Sequence, residues 1–197
     1  MKEKIIAKAT DLFLKLGFKS VTMDDIAAEM GISKKTIYKY FGNKEILIEE
    51  SVESMHHTID DMIENILMQN YNPIKENYEI RKMFKNLFQA ADTSPLYQLK
   101  KHYPEIHARM MCKEMEDCSS FLKQNIEKGI ALGLYREHIN IEIVTRFYYT
   151  LVFQINENTI SEKEAQALEL ALLEYHTRAI ATEKGIAELE KHITTNQ

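Results

Sequence analysis

Apolar residues recur along this chain at intervals of three and four, the period of a helix with one buried face. Near the start, Ile5, Ile6, Ala9, Leu12, Phe13 and Leu16 form such a stripe and predict an inward-facing helix over residues 4–16. Met23, Ile26, Ala27 and Met30 repeat the spacing and predict a second helix. A third of about two turns is expected over 34–41, with Ile37 and Phe41 inward. A long fourth helix should run over 44–68, with a break at 69–73. Further helices are expected near 77–91, 95–103 and 104–132, the last ended by Gly133. Pro95 and Pro104 each suit a first helical turn, where the missing N–H is no loss. No alternating strand pattern, internal repeat or low-complexity segment is seen. With six Gly and three Pro the chain has few breaks. The pattern predicts an all-α protein.

The stretch from Thr22 to Lys44 carries the most local information. Thr22 suits an N-cap, with Asp25 three residues on near the positive end of the helix dipole. Gly31 can take the left-handed conformation that ends a helix and opens a sharp turn. Ile32 would anchor that turn in the core, and Ser33 would cap the next helix. Gly42 can end that helix and Asn43 can cap the fourth. At about 100° per residue, Lys35, Thr36 and Lys39 fall opposite Ile37 and Phe41, with Tyr38 and Tyr40 flanking them. From Met30 to Lys44 there are four Lys (34, 35, 39 and 44) and no acid. An ordinary solvated lysine face would leave the aromatic flanks and the tight turn unexplained. Two short helices about a tight turn form a helix-turn-helix, whose second helix enters the major groove of DNA. The lysines and tyrosine hydroxyls would then meet phosphates, with Thr36 and Lys35 nearest base edges.

With these residues in place, the chain resembles the TetR family of bacterial transcription regulators. The resemblance rests on a first helix ending Leu16-Gly17-Phe18, then Ser20 through Ala27, Gly31 through Phe41, and Lys44-Glu45. Farther on it rests only on length, helicity, the run Ile126 to Ile130 and the run Gly133 to Arg136. It implies an N-terminal three-helix DNA-binding domain over 1–48 (motif about 22–41) and a C-terminal helical ligand-binding and dimerisation bundle over 49–197. It also implies operator contacts at Thr22, Thr36, Tyr38, Tyr40 and Lys44. With Lys35 and Lys39 from the wheel and Lys34 from the acid-free lysine run, these are the expected DNA-binding residues. The body varies so widely in this family that no ligand carries over.

Charge agrees once it is divided. The chain's net charge of −5 looks wrong for a DNA binder. The first 50 residues, however, hold nine Lys and eight acids, while the rest holds 16 basic and 22 acidic residues. The acidic excess therefore belongs to the body, where it would limit non-specific sticking and steer orientation. Cys112 and Cys118 are expected on one helix. Six residues there separate them by about 9 Å, too far for a disulfide. They read as soft apolar fillers, not as a redox pair. Lys4, Lys8, Asp11 and Lys15 break up any apolar run of a signal peptide, and no stretch approaches bilayer-spanning length. A cytoplasmic setting and no membrane partner are expected.

Two later stripes suggest assembly. Ile141, Val144, Tyr148, Leu151 and Ile155 are spaced 3, 4, 3, 4, as are Ala165, Leu168, Leu172, Tyr175 and Ala179. Such heptad-like stripes fit either a four-helix bundle built by two chains or packing within one chain's core. The family dimerises through its last two long helices, and a two-turn recognition helix reads few bases, so a homodimer on a palindromic operator is expected. The expected interface is Val144, Tyr148, Leu151, Ile155, Leu168, Leu172, Tyr175 and Ala179.

Phe84, Phe88, Tyr97, His102, Tyr103, His107, Met110, Met111, Met115 and Phe121 make the region between head and dimer helices rich in aromatics and methionine. Singly each suits core packing. Together they could line an apolar pocket for an unidentified small-molecule effector. The expected function is thus a ligand-responsive, homodimeric repressor. The alternative on the same fold is a ligand-independent architectural factor, which should have a filled core where a sensor has a cavity. A helical-bundle metalloenzyme would need paired Glu-x-x-His motifs. Only Glu53-Ser54-Met55-His56 occurs, and no phosphate loop, nucleophile elbow or zinc cysteine set is present. His102 and His107 straddle Pro104 and His56 and His57 diverge, so no metal, cofactor or enzymatic activity is expected.

Overall fold

A computed structural model describes the backbone of residues 1–195 and all their side chains except those of 112–119, 194 and 195. Among the described residues ten helices follow one another: α1 (Lys2–Leu16), α2 (Met23–Met30), α3 (Lys34–Tyr38), α4 (Lys44–Leu67), α5 (Pro73–Leu87), α6 (Pro95–His102), α7 (Pro104–Ala131), α8 (Ile141–Asn158), α9 (Glu162–Ile180) and α10 (Glu183–Thr195). Among the described residues there is no strand; two isolated antiparallel bridges, Thr93 with Ser161 and Tyr135 with Ala181, tie loops to helix ends.

The caps explain where the elements begin. Asp25, Thr36, Ile46, Lys75, Ile143 and Glu164 each donate a backbone N–H to a side-chain oxygen three residues earlier, from Thr22, Ser33, Asn43, Asn72, Asn140 and Ser161. Each satisfies a donor the helix leaves unpaired. The stretch 69–73 does interrupt the pattern, but α5 starts at Pro73, four residues before the expected 77. Proline presets the φ of a first helical turn and Asn72 caps it.

Other expectations shift for local reasons. α3 closes after Tyr38 instead of running to Phe41. A tight turn finishes it, in which Tyr40 and Phe41 both donate backbone N–H to the Ile37 carbonyl, at 2.9 and 3.0 Å. Leu16, expected inward, is 61% exposed. Gly17 (φ +90°) turns the chain at once, and Phe18 takes the core place by stacking on Phe13. α10 was not read from the sequence at all, so α8 and α9 are not the last two helices. Gly185, in its first turn, permits a close approach: a Cβ there would overlap the Leu134 carbonyl.

Two cores result. The head's core joins α1 to α3 and the start of α4 through Ile5, Phe13, Ile26, Ile37, Phe41, Leu47 and Ile48, and takes in Leu99 and Ile106 from α6 and α7. The 48/49 division therefore falls inside a continuous α4, on a shared core. The body's core centres on Ile74, Tyr78, Ile126, Tyr135, Leu173 and Leu189. Each fully buried large apolar side chain contributes about 1.5–3 kcal/mol. Lys128 and Asn125 satisfy the buried Glu76 carboxylate at 2.7 and 2.8 Å.

Candidate functional site

The head presents one continuous polar surface. Thr22 and Asp25 form a reciprocal capping box. Thr22 N–H and hydroxyl both donate to Asp25 Oδ2 at 2.8 Å, and these bonds hold the Asp25 carboxyl below the usual carboxylate range. Gly31 (φ +62°) makes the sharp turn, and Ser33 caps α3 while its Oγ lies 2.8 Å from Thr36 Oγ1. With Ile37 and Phe41 fully buried, α3 is pinned to the core along one side. Opposite, Lys35, Thr36, Tyr38, Lys39 and Tyr40 line an open concavity with Met1 and Ser33. Tyr38 and Tyr40 keep 43% and 38% of their surface exposed, and Lys35 and Lys39 make no ion pair among the described residues.

Two of the expected DNA contacts are otherwise engaged. Lys34 pairs with Asp24 at 2.8 Å, which raises its pKa, and lies 5.8 Å from the Tyr38 ring. Lys44 is half-buried and donates to the Lys19 carbonyl at 3.1 Å, between the rings of Phe13 and Tyr103. Burial pushes its ammonium below the ordinary lysine value, partly opposed by Asp25. Lys44 thus acts as a joint between α1, the following loop and Tyr103 at the junction of α6 and α7, although sequence alone shows only an exposed cation at a helix start.

Behind the head lie two apolar chambers that share walls. The first is lined by Phe13 and Phe18 of the head, by Met55 and His56 of α4, and by Phe84, Phe88, Leu99, Met110 and Phe153. The second lies deeper among Phe84, Phe88, Phe121, Tyr148, Tyr149 and Phe153, with Glu76, Arg81, Asn156, Glu162 and Glu169. Phe84, Phe88, Met110 and Phe121 of the expected pocket set are brought together here. Tyr97, His102, Tyr103, His107 and Met111 line neither chamber. Tyr97 meets Lys101, and Tyr103 reaches the Phe18 carbonyl at 3.4 Å. His102 borders a surface groove beside Glu45, and His107 faces Glu157 at 3.2 Å. Met115, like Cys112 and Cys118, lies outside the described side chains. Among the lining residues outside the expected pocket set are Tyr149, Phe153, Asn156 and Glu162. The Tyr148-Tyr149 and Val152-Phe153 pairs were the available signal, since adjacent large residues place one on each of two helix faces.

α8 and α9 also differ from the expected stripes. Leu172 is buried within the chain, and Val144 and Tyr148 pack on the body's own core. Leu151 of the expected set does face outward, 43% exposed, but beside it stand Ile143 and Phe147, 47% and 63% exposed, in place of Val144 and Tyr148. Leu168 and Tyr175 of the expected α9 set also face outward, 44% and 69% exposed. The three- and four-residue spacing holds for either stripe, because α8 is apolar on nearly every side.

Among the described residues no group of three His, Cys, Asp or Glu could hold a metal ion, and no helix is long and apolar enough to cross a membrane.

The profile of the bacterial regulatory proteins, tetR family, matches residues 5–51. The chain is 32% identical over 137 residues to the biofilm operon icaADBC HTH-type negative transcriptional regulator IcaR of Staphylococcus aureus, covering 66% of this chain and 68% of that protein. Among solved structures it is similar to a transcriptional regulator from Cytophaga hutchinsonii ATCC 33406, with a TM-score of 0.73, 18% identity, and 91% and 98% of the two chains covered. It is also similar to SmeT, the repressor of the Stenotrophomonas maltophilia multidrug efflux pump SmeDEF, with a TM-score of 0.63, 17% identity, and 93% and 91% covered. At these identities the structural likenesses speak to the fold alone.

Proposed function

Because the chain belongs to the TetR family of bacterial regulatory proteins, it is a DNA-binding transcriptional regulator, and we propose that it acts in the cytoplasm as a homodimeric repressor, holding a palindromic operator until a small-molecule effector enters the body. The observation that carries this reading is the α3 surface, where Lys35, Thr36, Tyr38, Lys39 and Tyr40 share one open concavity. Lys39 and the tyrosine hydroxyls would take phosphates, fixing register. Thr36 and Lys35, on the first turn of α3, would read base edges in the major groove. Lys34 would contribute through its Asp24-paired ammonium, and Thr22 through its exposed position at the start of α2. Lys44 would act by holding the head to the body.

The outward stripe of α8 and α9 supports assembly of two copies. Monomers seldom leave large apolar patches in water. A two-fold pair would set its α3 helices about one DNA turn, roughly 34 Å, apart.

The chambers support effector control, because the wall of the first is made by both halves of the chain and it shares residues with the second. Phe13 and Phe18 belong to the head's core and also to the first chamber's lining. An effector that fits best with α1 and α4 displaced would favour a head separation that no longer matches successive grooves. Its differential affinity for the two arrangements sets how far it can shift them. An architectural factor with a filled body would have no such chambers.

The test is fluorescence anisotropy of labelled duplexes with purified protein. Selective binding to one duplex over random DNA, lost on Lys35→Ala with Lys39→Ala, is expected. Equal affinity for all duplexes, unchanged in that variant, would overturn the reading.

A further inference from the structure

The charged groups of the two chambers pair off except at one. Glu76 accepts from Lys128 and Asn125. Glu169 takes both the Arg81 guanidinium and the Asn156 amide. Glu162, at the start of α9, lines both chambers and is 4% exposed. Its Oε1 accepts from Gln166 Nε2 at 2.8 Å, while its Oε2 is buried with no hydrogen-bond partner. A buried carboxyl oxygen left in this way is costly unless something pairs with it.

The surroundings indicate what could. Of the charged groups facing Glu162, Arg81 of α5 is already held by Glu169, and Glu169 on α9 is a second acid. α8 offers only the Asn156 amide. His56 of α4 lines the first chamber and lies 3.5 Å from Asp60. The Asp92 carbonyl, before α6, accepts the Glu162 backbone N–H at 3.0 Å. Around this acidic point stand Phe84, Phe88 and Phe153, whose ring faces attract cations. An anionic ligand would meet two acids and an occupied guanidinium.

We infer that the effector is a lipophilic organic cation, an aromatic or branched apolar body carrying a protonated amine that docks on Glu162 Oε2 where the two chambers meet. This rests on the chambers being the effector site. Burial lifts the Glu162 carboxyl to about 7, with Glu169 adding to the rise and Gln166 and Arg81 opposing it. Near neutral pH the empty chamber therefore holds much of Glu162 protonated. Docking of the ammonium releases that one proton to solvent, and an N–H···O⁻ bond forms in its place. A neutral ligand accepting a bond from the protonated acid would show the opposite pH dependence.

The experiment compares three matched probes on the full chain by titration calorimetry: 6-phenylhexylamine, 6-phenylhexan-1-ol and 6-phenylhexanoate. An alkylamine, like a lysine side chain with a pKa of about 10.4, stays charged throughout. The amine is expected to bind tightest at pH 8, and to weaken about tenfold by pH 6 as Glu162 takes up its proton. Glu162→Gln, which keeps the shape and the Gln166 contact, should weaken the amine about tenfold at pH 8 and flatten its pH profile, with the alcohol unchanged. The wild-type profile stands whether or not that variant folds. If none of the three probes binds, the effector-site reading fails along with the assignment. If the alcohol or the acid binds as tightly as the amine at pH 8, if the amine's affinity is flat between pH 6 and 8, or if a folded Glu162→Gln binds it unchanged, the cation assignment alone is overturned.

Discussion

Gln98 in α6 accepts the backbone N–H of Phe18 at 2.9 Å, across 80 residues of sequence, and so ties the turn after α1 to the body. Gly17 leaves room for this contact, since a side chain there would overlap the Gln98 carboxamide. Gln98→Ala removes the acceptor and leaves Phe18 N–H without its partner. A loss of about 1–2 kcal/mol in thermal or urea unfolding is expected, together with faster hydrogen exchange at the Phe18 amide. Unchanged exchange there would mean that the bond does not hold the joint.

Lys39 and Thr36 should separate affinity from specificity. Lys39→Ala is expected to weaken binding to every duplex and to lower the slope of log K against log salt by about one. Thr36→Ala should change which duplex is preferred while leaving that slope in place. Anisotropy at several salt concentrations reads both. An unaltered slope for Lys39→Ala would remove Lys39 from the phosphate contacts.

Phe147 is the most exposed of the three apolar residues on the α8 stripe. Phe147→Glu places a charge where two copies would meet, and two of them would face one another across a two-fold axis. Sedimentation equilibrium is expected to show dimers for the wild-type chain and monomers for the variant, with the helical circular dichroism unchanged. Operator affinity should fall with dimerisation, because each monomer carries a single α3. A variant that still dimerises would move the interface elsewhere.

Two buried groups give opposite pH effects on stability. Burial lifts Glu162 from an ordinary carboxyl value to about 7, so the folded chain holds this proton more tightly than the unfolded chain. Its contribution to stability is greatest at acid pH and falls as pH rises from about 4.5 to about 7. Glu162→Gln should therefore gain on the wild type between pH 5 and pH 8, on the order of 2–3 kcal/mol. His176, 7% exposed, is depressed to about 4 by burial alone. The unfolded chain takes up that proton first, so stability falls as pH drops from 6.5 towards 4. Urea unfolding of wild type and Glu162→Gln at pH 5 and pH 8 checks the first sign. No relative gain at pH 8 would place Glu162 in a wetter site than the structure gives it.

The head was legible in the sequence because its determinants are local. Thr22, Ser33 and Asn43 each cap an amide three residues away, and Gly31 needs only its own φ. One feature of the body was also legible as a short phrase. Gly129 sits where a Cβ would overlap the Tyr135 ring, so the two glycine-containing runs between Ile126 and Arg136 form one packed turn. Phe84, Phe88, Met110 and Phe121 of the chamber walls were legible as an aromatic and methionine-rich stretch, but the share of α8 was not. α8 carries Ile143, Val144, Phe147, Tyr148, Tyr149, Leu151, Val152 and Phe153, so almost every face is apolar and periodicity cannot say which one turns inward. The choice between Val144-Tyr148 and Ile143-Phe147 as the outer stripe is made by α7 and α9 packing on either side, a tertiary fact. The same holds for Glu162, whose N-cap neighbour Ser161 marks a helix start but not the depth at which it lies.

The most direct test of the account is in vitro selection of random duplexes by the purified chain, followed by hydroxyl-radical footprinting of the winners. Enrichment of two inverted half-sites with centres about one helical turn apart is expected, protected on one face of the DNA and lost with Phe147→Glu. Selection that enriches no sequence, or a single half-site covered by one copy of the chain, would contradict it.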